Sequence, residues 1–237
     1  MIGHVYKIVN NINSDIYIGQ GYDLNDLNIS KINFSISIEE YFEKYLERCE
    51  KLGGSLTSLC LEIGAILGNA DSEFISILNK IGWLLGTAGQ MVNDIADFVI
   101  LSETQEIKNG YREQFNDIIN GKVTYPLFYV LKNGKEFYKN RILEVLNGSR
   151  VLDLEEKKFL MEYLVKSGAI SNTKMIILSY YKRLKKEIKK IPPSEARNLL
   201  SLSFSSLLTN KYFATIRESC SSEKQNHLCR AAGSNDV

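Results

Sequence analysis

Polar side chains interrupt an otherwise apolar stretch, LGTAGQMVNDIADF, at residues 85–98. On a helix, Gln90, Asp94 and Asp97 fall on one face, because four and three residues separate them. Asn93 lies four residues before Asp97 and neighbours it on the helix surface. A helix that is apolar around most of its circumference is typically buried. Buried carboxylates without partners are costly, so the sequence predicts a cation or hydrogen-bond donors beside them.

Two kinds of cation could meet these carboxylates. Mg²⁺ prefers oxygen ligands and shares them with phosphate groups, so a magnesium site would make this helix a surface for a phosphorylated ligand. In the alternative, Asp94 and Asp97 form ion pairs with lysines or arginines of neighbouring helices. The spacing alone leaves both interpretations open.

Apolar residues at three- and four-residue steps predict long helices over much of the chain, and hence an all-α fold. Ser37, followed by Glu40, resembles a capping box at the start of one helix. Asp71 or Ser72 is a candidate cap for the next helix. The predicted helices span residues 37–69, 71–101, 123–132, 135–147, 154–167, 173–190 and 194–209.

Composition and charge argue against nucleic-acid binding and against membrane insertion. The net charge of +1 provides no basic surface of the kind that nucleic-acid binding needs. The basic run KRLKKEIKK, residues 182–190, is interpreted as the solvated face of a helix that buries Leu184 and Ile188. No stretch approaches the roughly 20 apolar residues of a membrane span. These features predict a cytoplasmic protein without nucleic-acid binding or stable membrane insertion. Apolar periodicity is lost from residue 214, which predicts a poorly ordered tail at 214–237.

The opening stretch GHVYKIVNNINSDIYIGQGYDLND, residues 3–26, carries a pattern of a different kind. Its letters VY and YIG resemble the skeleton of the GIY-YIG nucleases, which place them on two short strands. Those nucleases need an arginine shortly after YIG and a later metal-binding glutamate. No arginine occurs before Arg48, and the sequence that follows is helical, so the nuclease interpretation is disfavoured.

Two later blocks resemble the trans-polyprenyl diphosphate synthases. GTAGQMVNDIADF is similar to the family's second aspartate-rich motif, in which Gly and Gln precede Asp-Asp-x-x-Asp. The motif is broken at Asn93, which stands where the family has its first aspartate. Asparagine keeps an oxygen ligand but loses the negative charge. NDIINGKVTYPLFYVL, residues 116–131, is similar to the family's Asn-Asp-x-x-x-Gly-Lys-x-Thr-x-Pro segment. The agreeing residues are Asn116, Asp117, Gly121, Lys122, Thr124 and Pro126.

Weaker matches extend this resemblance to roughly residues 5–213. GQGYDL resembles a Gly-Gln-x-x-Asp-Leu motif on an earlier helix of the family, and it carries over Gln20 and Asp23. Arg112 stands five residues before Asp117, where the family has a lysine that contacts diphosphate. Lys51 corresponds loosely, with a displacement of one position, to a Lys-Thr element that also contacts diphosphate.

The resemblance implies an isoprenoid synthase fold for residues 1–213, in which mostly antiparallel helices surround a central cavity. It implies Mg²⁺-dependent transfer of an allylic diphosphate's prenyl group to isopentenyl diphosphate, with release of pyrophosphate. It also implies a homodimer, or a heteromer with a related subunit. The implied metal ligands are Asp23, Asn93, Asp94 and Asp97, the implied substrate-binding residues are Gln20, Lys51, Gln90, Arg112 and Lys122, and Asp94, Asp97 and Lys122 carry the catalytic roles.

One expected motif is missing, since the family's first Asp-Asp-x-x-Asp has no counterpart before Gln20. We therefore expect weak binding of metal and diphosphate, and an isolated chain that can be inactive for this reason. A fragment or a mis-started reading frame is the favoured explanation, ahead of a subunit completed by its partner or a degenerate relative. The alternative functions are a peptide-modifying isoprenyl transferase of the quorum-sensing pheromone type and a non-catalytic helical subunit.

Overall fold

The computed structural model describes residues 5–9, 16–20, 36–98, 114–148 and 150–209. Most of these residues form a helical bundle, as predicted. A π-helical turn at Glu50–Gly54, here called the π segment, joins the first helix to the second without a break. The helices are α1 (Ile38–Cys49), α2 (Ser55–Leu67), α3 (Ser72–Ala96), α4 (Asn116–Ile119), α5 (Tyr125–Asn133), α6 (Glu136–Leu146), α7 (Leu154–Lys166), α8 (Ala169–Ile188) and α9 (Glu195–Thr209).

The helix starts follow the capping signals in the sequence. The Ser37 hydroxyl accepts a hydrogen bond from the Glu40 backbone N–H at 3.1 Å, which caps α1. The Asp71 carboxylate accepts one from the Phe74 N–H at 2.7 Å, which caps α3. Both predicted caps are confirmed.

Two helix ends differ from the prediction. α3 ends at Ala96 rather than at 101, because the chain turns at Asp97, whose carbonyl accepts a hydrogen bond from the N–H of Phe115. α8 begins at Ala169, four residues before the predicted start. Gly168, with a φ of +80°, adopts the left-handed conformation between α7 and α8, so the connection between these helices is short. The short α4 was not predicted.

A hairpin of two antiparallel strands, β1 (Val5–Val9) and β2 (Ile16–Gln20), lies near the start of the chain. Its register pairs Val5 with Gln20 and Val9 with Ile16. The prediction that Gln20 lies on a helix is therefore wrong. The alternation of β-branched and aromatic residues in IYI favours a strand instead. The strands do carry the VY and YIG letters of the nuclease skeleton, but the chain from residue 38 onward is helical.

The bundle is organised around α3, which packs against α1, the π segment, α2, α8 and α9. Ile81, Met91 and Ile95 of α3 are among its most deeply buried side chains. On α8, Leu184 and Ile188 are buried as predicted, so the basic run at 182–190 is the outer face of a core helix. Among the described helices, none has the length and apolar character that crossing a membrane requires.

Glycines bring the π segment and the start of α2 into close contact with α3. A β-carbon at Gly86 would lie 2.0 Å from the carbonyl oxygen of Gly53, and one at Gly82 would lie 2.5 Å from the Cα of Ser58. Real β-carbons never approach backbone atoms so closely, so the two backbones touch only because these side chains are absent. This contact places the π segment beside the polar end of α3.

Gly86→Ala tests this contact, with Gly89→Ala as the matched control on the same helix. Overpacking of a tight contact typically costs about 1–3 kcal/mol, so we expect Gly86→Ala to lower the free energy of unfolding by at least that amount. A β-carbon at Gly89 meets no atom within 4 Å. Gly89→Ala should therefore stabilise the protein by about 0.5–1 kcal/mol, through helix propensity alone. Equal effects in urea unfolding would contradict the close contact.

Candidate functional site

The polar end of α3 turns Asp94 into the protein interior. Its side chain is only 1% exposed, as the apolar surroundings in the sequence predict. The Tyr45 hydroxyl donates to Oδ2 of Asp94 at 2.8 Å, and the Gln90 amide donates to Oδ1 at 2.9 Å. Tyr45 belongs to α1, so this carboxylate joins α1 to α3.

A guanidinium also faces this carboxylate. Nη1 of Arg48, on α1, lies 3.8 Å from Oδ2 of Asp94. Burial raises the pKa of Asp94 to about 6, while Arg48 and the Tyr45 hydroxyl act in the opposite direction by favouring the ionised form. Of the two alternatives that the sequence left open, an arginine beside Asp94 is thus present in the structure.

Asp97 also points inward, but backbone groups meet it. Its side chain is 3% exposed, and its two oxygens accept hydrogen bonds from the N–H groups of Asn116 and Asp117, both at 3.1 Å. Phe115, which precedes α4, adopts a left-handed φ of +60° and donates its N–H to the Asp97 carbonyl at 2.8 Å. Asp97 therefore fixes the segment that begins at residue 115 against the end of α3.

This segment brings a lysine toward the buried carboxylates. Nζ of Lys122 lies 3.2 Å from Oδ1 of Asp117, and the Lys122 N–H donates to the Asp117 carbonyl at 2.8 Å. Gly121 makes the turn between them possible with a φ of +69°. Asp117 also acts electrostatically on Asp94, where its negative charge raises the pKa further. The two sequence blocks that carry the family resemblance thus meet at one place.

A second tyrosine of α1 holds the residues that follow Lys122. The Tyr41 hydroxyl donates to the carbonyl of Val123 at 2.5 Å, and its ring stacks on Phe128 with the centroids 3.6 Å apart. Tyr41 therefore fixes the residues after Lys122 to α1, and Tyr45 fixes the C-terminal end of α3 to the same helix. In the sequence, Tyr41 and Tyr45 fall on the periodic stripe of the helix predicted at 37–69, and their hydroxyl groups were a signal that buried acceptors lie nearby.

Five other predicted site residues are either placed by the structure or lie outside the residues that it describes. Asn93 is exposed, whereas Asp94 beside it is buried. Lys51 forms an ion pair with Glu47, one turn earlier on the same helical run. Gln20 ends strand β2. Asp23 and Arg112 lie outside the described residues.

The described residues do not complete a magnesium site by themselves. Within them, no group of three or more Asp, Glu, His or Cys side chains is arranged to hold a metal ion. Asp94 and Asp97 supply two carboxylates, and the first already faces two donors and a guanidinium. An ion here would need a further ligand, and the predicted one, Asp23, is not described. The metal assignment therefore stays a prediction.

The raised pKa of Asp94 predicts a pH dependence of stability. Its folded-state pKa of about 6 exceeds the unfolded value, so its contribution is fully present below about pH 4 and is lost as the pH rises through 6. Between pH 4.5 and 7, the wild type should lose about 2 kcal/mol of unfolding free energy relative to Asp94→Asn. Urea unfolding of both proteins across this range measures the difference. A difference that does not change with pH would contradict the assignment.

Comparisons with known proteins identify the family that this chain resembles. The polyprenyl synthetase family matches residues 3–165, which include both blocks. Heptaprenyl diphosphate synthase component 2 of Bacillus subtilis is 26% identical over 73% of this chain and 47% of its own length. The decaprenyl-diphosphate synthase of Dictyostelium discoideum is 31% identical over 72% of this chain and 34% of its own. This chain thus spans about a third to a half of the curated relatives it matches.

Solved structures confirm the predicted fold. The heptaprenyl diphosphate synthase of Staphylococcus aureus superimposes with a TM-score of 0.59 at 22% identity, over 75% of this chain and 52% of that one. A decaprenyl diphosphate synthase of Rhodobacter capsulatus gives 0.61 at 20% identity, over 75% and 51%. With a family match over more than half of its residues and the same helical fold, this chain belongs to the polyprenyl synthetase family.

Proposed function

We propose that this protein takes part in isoprenoid chain elongation, in which an allylic diphosphate and isopentenyl diphosphate give a longer trans-prenyl diphosphate and pyrophosphate. The family match over residues 3–165 is the observation that carries the proposal. The relatives above are named as prenyl diphosphate synthases, which favours this activity over modification of a peptide. A cytoplasmic location stays a prediction.

Lys122 is the residue that this proposal uses most directly. Cleavage of the allylic C–O bond leaves an allylic cation and develops negative charge on the departing pyrophosphate. The isopentenyl double bond then attacks the cation, and a proton is lost. An ammonium group near the leaving oxygens stabilises this charge. The Lys122 side chain is 31% exposed, so it can reach a ligand while Asp117 orients it.

The buried carboxylates have supporting roles within the same proposal. Asp97 holds the backbone at Asn116 and Asp117, and so sets where Lys122 stands. Gln90 lies on the same face as Asp94 and is a candidate for substrate contact. Magnesium dependence, with Asp23, Asn93, Asp94 and Asp97 as candidate ligands, belongs to the proposal and is tested below.

Assembly with a second, related chain is also part of the proposal. The Bacillus subtilis relative is named as component 2 of its synthase, which supports a multi-component arrangement. A heteromer would let a related chain supply ligands that the described residues lack. A homodimer is the alternative.

Lys122→Gln tests the substrate-binding role, with Lys158→Gln as the control. Lys158 is an exposed lysine of α7 that pairs with Glu155. With Mg²⁺ present, farnesyl diphosphate at about 100 times its Kd should raise the wild-type Tm by about 5–10 °C. Loss of one charged hydrogen bond should weaken binding by about tenfold in Lys122→Gln and leave Lys158→Gln unchanged.

Two further measurements test the magnesium dependence and the chain-elongation activity. Removal of Mg²⁺ with EDTA should abolish the Tm increase, and a persisting increase would contradict the magnesium dependence. Radiolabelled isopentenyl diphosphate should be incorporated into longer prenyl products by the chain, alone or with a related catalytic subunit. If neither protection by farnesyl diphosphate nor product formation occurs, the proposed function is wrong.

A further inference from the structure

An arginine on α1 has buried hydrogen-bond donors that no described residue accepts. The Arg48 side chain is only 11% exposed. Its Nε and Nη1 atoms are buried, and within the described residues neither has a hydrogen-bond acceptor. Buried donors without acceptors carry an appreciable free-energy cost, so such atoms call for a physical explanation.

Asp94 does not provide these missing acceptors. Its Oδ2 lies 3.8 Å from Nη1 of Arg48, which allows electrostatic attraction but exceeds hydrogen-bonding distance. Both oxygens of Asp94 already accept shorter bonds, one from Tyr45 and one from Gln90. The pair therefore compensates the charge of Asp94 but leaves Nε and Nη1 of Arg48 without an acceptor among the described residues.

Asp97 and Asp117, the other two carboxylates of the candidate site, have partners of their own. Asp117 pairs with Lys122, and the Asp97 oxygens accept backbone N–H groups. Lys51, the predicted diphosphate-contacting residue of this helical run, pairs with Glu47. Arg48, one turn before Lys51, is thus the cation of α1 that faces the Asp94 carboxylate.

We propose that Arg48 is a further substrate-binding residue, whose guanidinium donates to oxygens of the diphosphate. This inference rests on the proposed function and names a residue that the sequence motifs do not include. A guanidinium presents planar, fixed donors that match phosphate oxygens. In this arrangement Arg48 lies between the Asp94 carboxylate and the anion, and its charge reduces the repulsion between them.

Arg48→Lys is the central test, because it keeps a positive charge beside Asp94 but loses Nε–H and the planar donor geometry. Binding of inorganic pyrophosphate in the presence of Mg²⁺ is measured by calorimetry, together with the Tm of each protein. We expect Arg48→Lys to keep a Tm near that of the wild type and to bind pyrophosphate about tenfold more weakly. Arg48→Gln should bind still more weakly.

Lys44→Gln is the matched control, because Lys44 is an exposed lysine of the same helix that pairs with Glu40. Its pyrophosphate Kd should stay within about twofold of the wild type. If Arg48→Lys binds pyrophosphate as tightly as the wild type, Arg48 serves only as the counter-ion of Asp94 and the inference is overturned. If the wild type itself binds no pyrophosphate, this inference is overturned, whereas the proposed function is decided separately by farnesyl diphosphate protection and product formation.

Discussion

The buried carboxylate of Asp94 is the interaction on which the candidate site depends. A carboxylate at 1% exposure is tolerated only because a phenol, an amide and a guanidinium surround it. Two of these three groups come from α1, so the polar contacts also fix how α1 lies against α3. The stability of this part of the bundle and the position of its charged groups therefore have one origin.

The remaining geometry follows from how closely helices can approach. Gly53 and Gly86 let the π segment touch α3, which a side chain at either position would prevent. From α1, Tyr41 reaches the carbonyl of Val123, one residue after Lys122, and Asp97 holds the start of α4. A π-helical turn is often found at functional sites, and here it directly follows the helix that carries Arg48.

Much of the bundle was predictable, because periodic apolar residues and capping side chains are local signals. The caps at Ser37 and Asp71 and the inward direction of Asp94 follow from such signals. The partners of Asp94 did not, since Tyr45 lies 49 positions away and its helical stripe looks apolar. The strand at Gln20 was not predicted, because GQGYDL resembles a helical motif of the family, although the β-branched and aromatic residues before it favour a strand.

A crystal structure of the protein with pyrophosphate and Mn²⁺, with the manganese located by anomalous scattering, tests the central claim most directly. That claim is that α1, the end of α3 and the segment through Lys122 form one diphosphate site. We expect pyrophosphate oxygens within hydrogen-bonding distance of both Arg48 and Lys122, and manganese beside Asp97. Pyrophosphate bound elsewhere, with Arg48 closed onto Asp94, would contradict the account.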